Sequence, residues 1–412
     1  MAELDNLAGR DAATRAVDRA TPSANSFADP PACPYRGGVP TPFLPGLELC
    51  RLFYADVVRP LLDEAYPGLR HAAARLGPGS EVLGFDTARS VDHDWGPRLE
   101  LFLAPADLTR HGEHLSALLT SRLPTRFHGW STHFEPPDAR IRVMAPTDGP
   151  VAHRVLITDV GRWCGEQLGF DPRDGVGPLD WLATPGQRLA EVTGGAVYHD
   201  GSGELTAIRD RLAWYPADVW RHVLACQWTR VSQEEAFVGR TAEAGDEPGS
   251  RIVATRLARE VMRLCLLLGR RYPPYSKWLG SSFAALPDAG IVALALRTAL
   301  TSDDATERQA ALCDAYEAAG DWQNRLALAE PVDATRRPYH DRPYPVIDAG
   351  RFAAALRARI SDPVIAALPP IGGVDQFVDS TDVLCDPALT RAIAAAALTG
   401  VADRPAPSDI RQ

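Results

Sequence analysis

Apolar side chains first fall into helical register at Leu49, Leu52, Phe53 and Val57, followed by Leu61 and Leu62. Spacings of three and four line one face of a helix, so ordered structure is expected to start there. Residues 1–45 show no sustained apolar period and are rich in Ala, Asp, Pro and Ser, which predicts a flexible N-terminal tail. The run His71-Ala-Ala-Ala-Arg-Leu-Gly-Pro-Gly-Ser80 reads as a short strand that ends in a glycine-rich turn. A short helix is expected over Glu81 to Phe85. Strands are expected over Arg98 to Ala104, Phe127 to Phe134 and Arg154 to Val160. Residues 105–122 read as a helix opened by Pro105, with Asp107 in its first turn.

The pattern changes after Asp180. Trp181 to Thr193, Pro216 to Arg240, Gly249 to Tyr272 and Gly290 to Ala319 are amphipathic at helical period, with few strand signals between them. One further helix is expected over Ala349 to Ile360, among proline-interrupted segments. The expected fold class is therefore α+β, a mixed-sheet α/β domain followed by a mainly helical domain. The expected divisions are residues 1–45 (tail), 46–175 (α/β domain), 176–345 (helical domain) and 346–412 (C-terminal helical and irregular segment).

Composition narrows the function classes. The net charge of -10 argues against a broad basic face for nucleic acid, though not against a local cationic pocket. The sequence has no apolar run long enough to span a bilayer and no basic-then-apolar N-terminal order, so a cytoplasmic protein is expected. The seven cysteines are scattered, with no pair or histidine at zinc-ligand spacing, and read as reduced, mostly buried residues. Of the 43 Lys and Arg residues only Lys277 is lysine. A lysine kept against such a drift towards arginine points to a place where a compact ammonium is needed instead of a planar fork.

The chemistry is concentrated in Gly79-Ser80-Glu-Val-Leu-Gly84-Phe-Asp-Thr-Ala-Arg-Ser90-Val-Asp92-His-Asp94-Trp95. A Gly-Ser turn opening a helix offers N–H groups and a hydroxyl to phosphate oxygens. Two aspartates at i and i+2 on a strand share a face and can help hold a pair of magnesium ions about 3.5–4 Å apart. His93 between them would face the other way. No Gly-x-Ser-x-Gly elbow, Walker loop or dinucleotide fingerprint is present.

This order of motifs resembles the polymerase-beta-like nucleotidyltransferase superfamily, in its minimal and antibiotic-modifying branches. Gly84 and Ser90 stand where those branches often have Gly and Ser. Pro78 and His93 depart from the usual apolar residues, without removing a metal ligand. The chain is also similar to an uncharacterised bacterial nucleotidyltransferase-like family through Asp92-His-Asp-Trp-Gly-Pro97 and Tyr275-Ser-Lys-Trp-Leu-Gly280. The resemblance implies a nucleotidyltransferase-type fold, a nucleoside triphosphate donor (ATP by default), two Mg2+ ions and a small-molecule acceptor. Gly79, Ser80 and Ser90 would lie on the nucleotide side, and Asp92 and Asp94 would bind the metals. A third carboxylate is implied on a later strand. Asp159 is the candidate, with Glu100 and Glu135 as rivals and an N-cap of the following helix as its plainer role. Lys277, helped by Arg271 or Arg270, would lean on the triphosphate, and Tyr272, Tyr275 and Trp278 would form an aromatic wall. Glu234 would be the base for the acceptor hydroxyl, unless it and Glu235 are simply an exposed helical pair. Asp375, Asp379 and Asp382 read as turn or cap residues. Two other readings keep the fold: a nucleotide-sensing or antitoxin-like module without turnover, and an enzyme that cyclises nucleotides or nucleotidylates proteins.

Overall fold

The computed structural model describes residues 43–90, 95–134, 147 and 151–399. Asp92, His93, Asp94 and Glu135 lie outside the described residues, as do Cys33 and most of the expected tail.

The chain is an α+β protein built on a four-stranded mixed sheet of order β5-β2-β1-β6. The strands are β1 (His71–Arg75), β2 (Leu99–Leu103), β5 (Val155–Thr158) and β6 (Ala196–Asp200). β1 runs antiparallel to β2 and β6, and β2 runs parallel to β5. A small hairpin is formed by β3 (Arg126–Phe127) and β4 (Trp130–Ser131), where a longer strand over 127–134 was expected. His128 and Gly129 both take positive φ there, and the resulting tight turn splits the run into two short arms.

One sheet face packs on α1 (Gly46–Phe53), its π-helical continuation Tyr54–Val58, α2 (Arg59–Ala65) and α3 (Pro105–Arg122). Phe53, Val58, Leu62, Leu115 and Leu119 meet Ala73, Leu99, Leu101 and Leu103 in that core. The other face, with Ala72, Ala74 and Phe102, joins a larger core that runs on through the helical region. This follows from the period of two in a strand, which sends alternate residues to opposite faces. The three alanines of β1 let both layers approach closely.

The helices on that second side begin with α4 (Val160–Leu168), α5 (Pro178–Ala183), α6 (Gly186–Thr193) and α7 (Glu204–Arg211). They continue with α8 (Ala217–Glu234), α9 (Phe237–Glu243), α10 (Glu247–Leu268), α11 (Ser276–Ala284), α12 (Gly290–Thr301) and α13 (Ala305–Arg325). A hairpin of β7 (Arg337–Tyr339) and β8 (Arg342–Val346) leads to α14 (Gly350–Arg357), the helix expected near 349–360. Four short or terminal helices follow: α15 (Pro363–Ala366), α16 (Val374–Phe377), α17 (Thr381–Leu384) and α18 (Pro387–Thr399).

Besides the β7–β8 hairpin, the helical pattern after Asp180 hides β6, which completes the four-stranded sheet from among the helices. Gly194-Gly195 leads into it at very close range. A side chain on Gly195 would overlap the Arg75 carbonyl, and its φ of +63 is one that glycine adopts freely. Gly195 N–H also donates to the Val82 carbonyl at 2.8 Å. The strand edge and the turn after β1 are thus locked to the start of the helical region.

Candidate functional site

The turn after β1 sits on a buried quartet of charges. Arg75, at the end of β1, is almost fully buried and donates through Nε to Glu81 (2.8 Å) and through Nη1 to Glu100 (3.0 Å). Arg98, just before β2, donates through Nη2 to the same Glu81 oxygen at 2.7 Å. Glu100 also accepts the Leu76 N–H at 2.8 Å. Two positive and two negative side chains balance here, which is the condition for keeping charges away from water. Burial opposes ionisation of both acids. At Glu81 the two guanidiniums outweigh it and hold the carboxyl below its usual range. At Glu100, where Arg75 is the main opposing charge and Arg98 a lesser one, burial prevails and pushes the carboxyl up.

The quartet shapes the turn. The expected helix over Glu81 to Phe85 is a single turn over residues 80–84, closed by Val82 N–H to the Gly79 carbonyl (3.2 Å) and Phe85 N–H to the Ser80 carbonyl (2.8 Å). Glu81 has to face inward to meet both arginines, and Gly84 at φ +75 breaks the helical path. The Leu76 carbonyl accepts from Arg75, and the Pro78 carbonyl accepts from both Arg75 and Arg98. Gly77 N–H is held by the Glu191 carbonyl of α6 at 3.0 Å. Among the described residues, the Gly79 and Ser80 N–H groups and the Ser80 hydroxyl have no hydrogen-bond partner.

The helical region reaches this turn through α11. The Trp278 ring stacks on Phe85 with centroids 5.2 Å apart. The Lys277 ammonium lies 4.8 Å from the centre of the Trp278 ring, and Lys277 is exposed. Tyr275 N–H, at the start of α11, donates to Gln187 of α6 at 3.1 Å. Ser80 and Lys277, 197 positions apart in sequence, are therefore brought to neighbouring elements.

Other expected residues are placed elsewhere. Asp159 follows β5, and the register sets Val155 beside Leu99 and Thr158 beside Phe102. It therefore lies at the end of the sheet that holds His71, opposite the end that carries the turn after Arg75. It caps α4, accepting the Arg162 N–H at 2.9 Å. Glu100 is committed to Arg75 and Leu76, as described. Glu234 ends α8 and pairs with Arg256 at 2.7 Å. The opposite end of that helix meets the end of α10, through Trp220 Nε1 donating to the Leu267 carbonyl (2.9 Å). Glu234 is thus roughly 20 Å further along α8 from the approach to α11. Its neighbour Glu235 is buried and accepts the N–H groups of Ile347, Asp348 and Ala349, fixing the start of α14.

Ser90 closes a local turn, its Oγ accepting the Thr87 N–H at 3.0 Å. Arg271 is exposed beyond α10, and Arg270 lies over the Trp220 ring at 4.6 Å. Tyr272 is not part of an aromatic wall. It is buried against Trp214 and Tyr215, and its hydroxyl donates to the Leu212 carbonyl at 2.8 Å. Asp375 joins Arg263 (2.9 Å) to the Gly186 N–H (3.1 Å), while Asp379 and Asp382 are exposed.

Sequence reasoning missed Arg75, Glu81 and Arg98 as the support of the turn, and Asp86. One Asp86 oxygen accepts both the Gly46 N–H (2.7 Å) and the Trp95 indole N–H (3.2 Å). The available signal was a charged residue set against an apolar strand, Arg75 after three alanines and Glu100 between two leucines. No group of three or more potential metal ligands occurs among the described residues, and none of their helices is long and apolar enough to cross a membrane.

Residues 181–279 match a family model described as a domain of unknown function (DUF4037). That span runs from α5 into the first turn of α11 and includes Lys277. The chain is also similar to a nucleotidyltransferase-like protein from Exiguobacterium sibiricum of known crystal structure, at 13% identity and a TM-score of 0.27. That likeness covers 74% of this chain and 88% of the other. No curated protein matches the chain significantly. Neither likeness defines an activity, which leaves the functional reading to the site itself.

Proposed function

We propose that the protein is a magnesium-dependent nucleotidyltransferase that binds a nucleoside triphosphate at the Gly79–Ser80 turn. The observation that carries this reading is the turn itself: two N–H groups and a hydroxyl without partners among the described residues, beside an element bearing the exposed Lys277. Such a group of donors suits phosphate oxygens, and the lysine adds a full charge beside it. In this reading Ser80 and Lys277 hold the β- and γ-phosphates. A hydroxyl of a small-molecule acceptor attacks the α-phosphorus in line and gives up its proton to water. The bond from that phosphorus to the bridging oxygen breaks, and pyrophosphate leaves with the electron pair.

The turn fits the phosphates; the metal half rests on Asp92 and Asp94, because Glu81, Glu100 and Asp159 are spent on guanidiniums and a helix cap. Magnesium bound by those two aspartates would neutralise phosphate charge and stabilise the attacking and leaving oxygens. ATP is the default donor, since nothing in the turn reads a base.

The test is pyrophosphate release from ATP and Mg2+, scanned over hydroxyl acceptors. Lys277→Arg is expected to weaken triphosphate binding about tenfold, the equivalent of about 1.4 kcal/mol. Wild-type affinity in that variant would remove Lys277 from the site.

A second reading, a nucleotide-sensing module without turnover, is favoured by one observation. The carboxylates at the turn are already engaged, Glu81 and Glu100 by guanidiniums and Asp86 by the N–H groups of Gly46 and Trp95. Saturable ATP binding with no pyrophosphate release under any acceptor would select it.

A further inference from the structure

We infer that Arg75 and Arg98 are positioning residues that turn the Gly79 N–H outward as an anion donor. The inference rests on the reading of this turn as a triphosphate site. In a trans peptide the C=O and N–H point in opposite directions. The Pro78 carbonyl is drawn inward by two guanidiniums, Arg75 Nη2 and Arg98 Nη2, the latter at 3.2 Å. The Gly79 N–H belongs to that same peptide and is aimed away from the buried quartet. The Leu76 carbonyl is likewise drawn in by Arg75. Oxygens that would repel an anion are therefore turned inward and neutralised, while the donors are left facing the open side.

Two features show that the arrangement is built for this place. Glu81 is the hub that fixes both guanidiniums, and its side chain is only 2% exposed. A side chain on Gly79 would have its Cβ 2.5 Å from Arg75 Nη2, 2.7 Å from Arg98 Nη2 and 2.7 Å from Glu81 Oε2. Only glycine lets the chain lie this close to the charges that orient it. Arg98 reaches the Pro78 carbonyl and Glu81 with one planar fork. A lysine ammonium on its flexible stem does not hold two such partners in fixed geometry.

The experiment measures binding of ATP with Mg2+, and separately of inorganic triphosphate, to the full chain and to Arg98→Lys by calorimetry. Both ligands are expected to bind the variant at least tenfold more weakly, by a similar factor, with the thermal midpoint within a few degrees of wild type. The unchanged thermal midpoint separates this from a general structural defect, and the matched factors place the loss on the triphosphate and not on the base. In parallel, the Gly79 amide of the 15N-glycine-labelled wild type, assigned by its loss in Gly79→Ser, is expected to shift on saturation with triphosphate. This readout does not depend on the folding of Arg98→Lys. Unchanged affinity in Arg98→Lys overturns the positioning role and leaves the site standing, whereas an unmoved Gly79 amide in a wild type that binds triphosphate overturns the role and places the ligand away from this turn. Failure of the wild type to bind either ligand removes the site and the inference together.

Discussion

Arg75→Met is expected to lower stability by about 3–5 kcal/mol, because two buried acids then share one remaining guanidinium. Arg75 contacts Glu81, Glu100 and the Leu76 and Pro78 carbonyls from a position almost closed to water. Methionine fills the volume and supplies none of these donors. The quartet, neutral in the wild type, becomes a net negative charge in a poorly solvated place. Urea denaturation reads this as a lower midpoint with an unchanged slope.

The loss should also depend on pH. In the variant the deserted carboxyls have pKa values raised above those of the unfolded chain, so the folded state binds more protons. Stability present in acid is then lost as the pH rises through the raised values. The deficit is expected to be larger near pH 8 than near pH 5. Adding Glu100→Gln to Arg75→Met should recover part of the loss. A loss under about 1 kcal/mol, or one that shrinks with rising pH, would show that the quartet does not behave as a buried ionic unit.

Much of the fold was legible from residue spacing. The helix over 105–122 starts where Pro105 and Asp107 place it, β2 falls where apolar alternation put a strand, and β1 and β5 lie within the other expected strand runs. β6 was hidden because Ala196 to Asp200 is short and half-buried, and its partner β1 lies more than 100 positions earlier. The turn at 80–84 was misread as a helix because the pull of Arg75 and Arg98 on Glu81 is a tertiary effect that local propensity does not carry. At the site, sequence pointed to Ser80 and to Lys277 for separate reasons, and their elements meet through Phe85 and Trp278. It also pointed to Asp159 and Glu234. Strand direction and position along a helix decide where those side chains go, and motif spacing encodes neither.

Asp92→Asn combined with Asp94→Asn is expected to reduce nucleotidyl transfer by at least about 1,000-fold, the equivalent of about 4 kcal/mol in the barrier. The change keeps side-chain volume and removes two negative charges, so it takes away the proposed metal ligands with little effect on packing. Transfer should not be restored by excess Mg2+. The measurement is single-turnover pyrophosphate release at saturating ATP, after an acceptor supporting wild-type turnover has been found. A double variant that turns over at the wild-type rate would remove both aspartates from catalysis and, with them, the proposed chemistry.

The most direct test of the triphosphate site is calorimetric titration of the full chain with ATP, with and without Mg2+, alongside Ser80→Ala. Saturable binding that needs Mg2+ and weakens in Ser80→Ala is the predicted result. The absence of binding, or binding unaffected by either the metal or the substitution, would contradict the assignment of the Gly79–Ser80 turn.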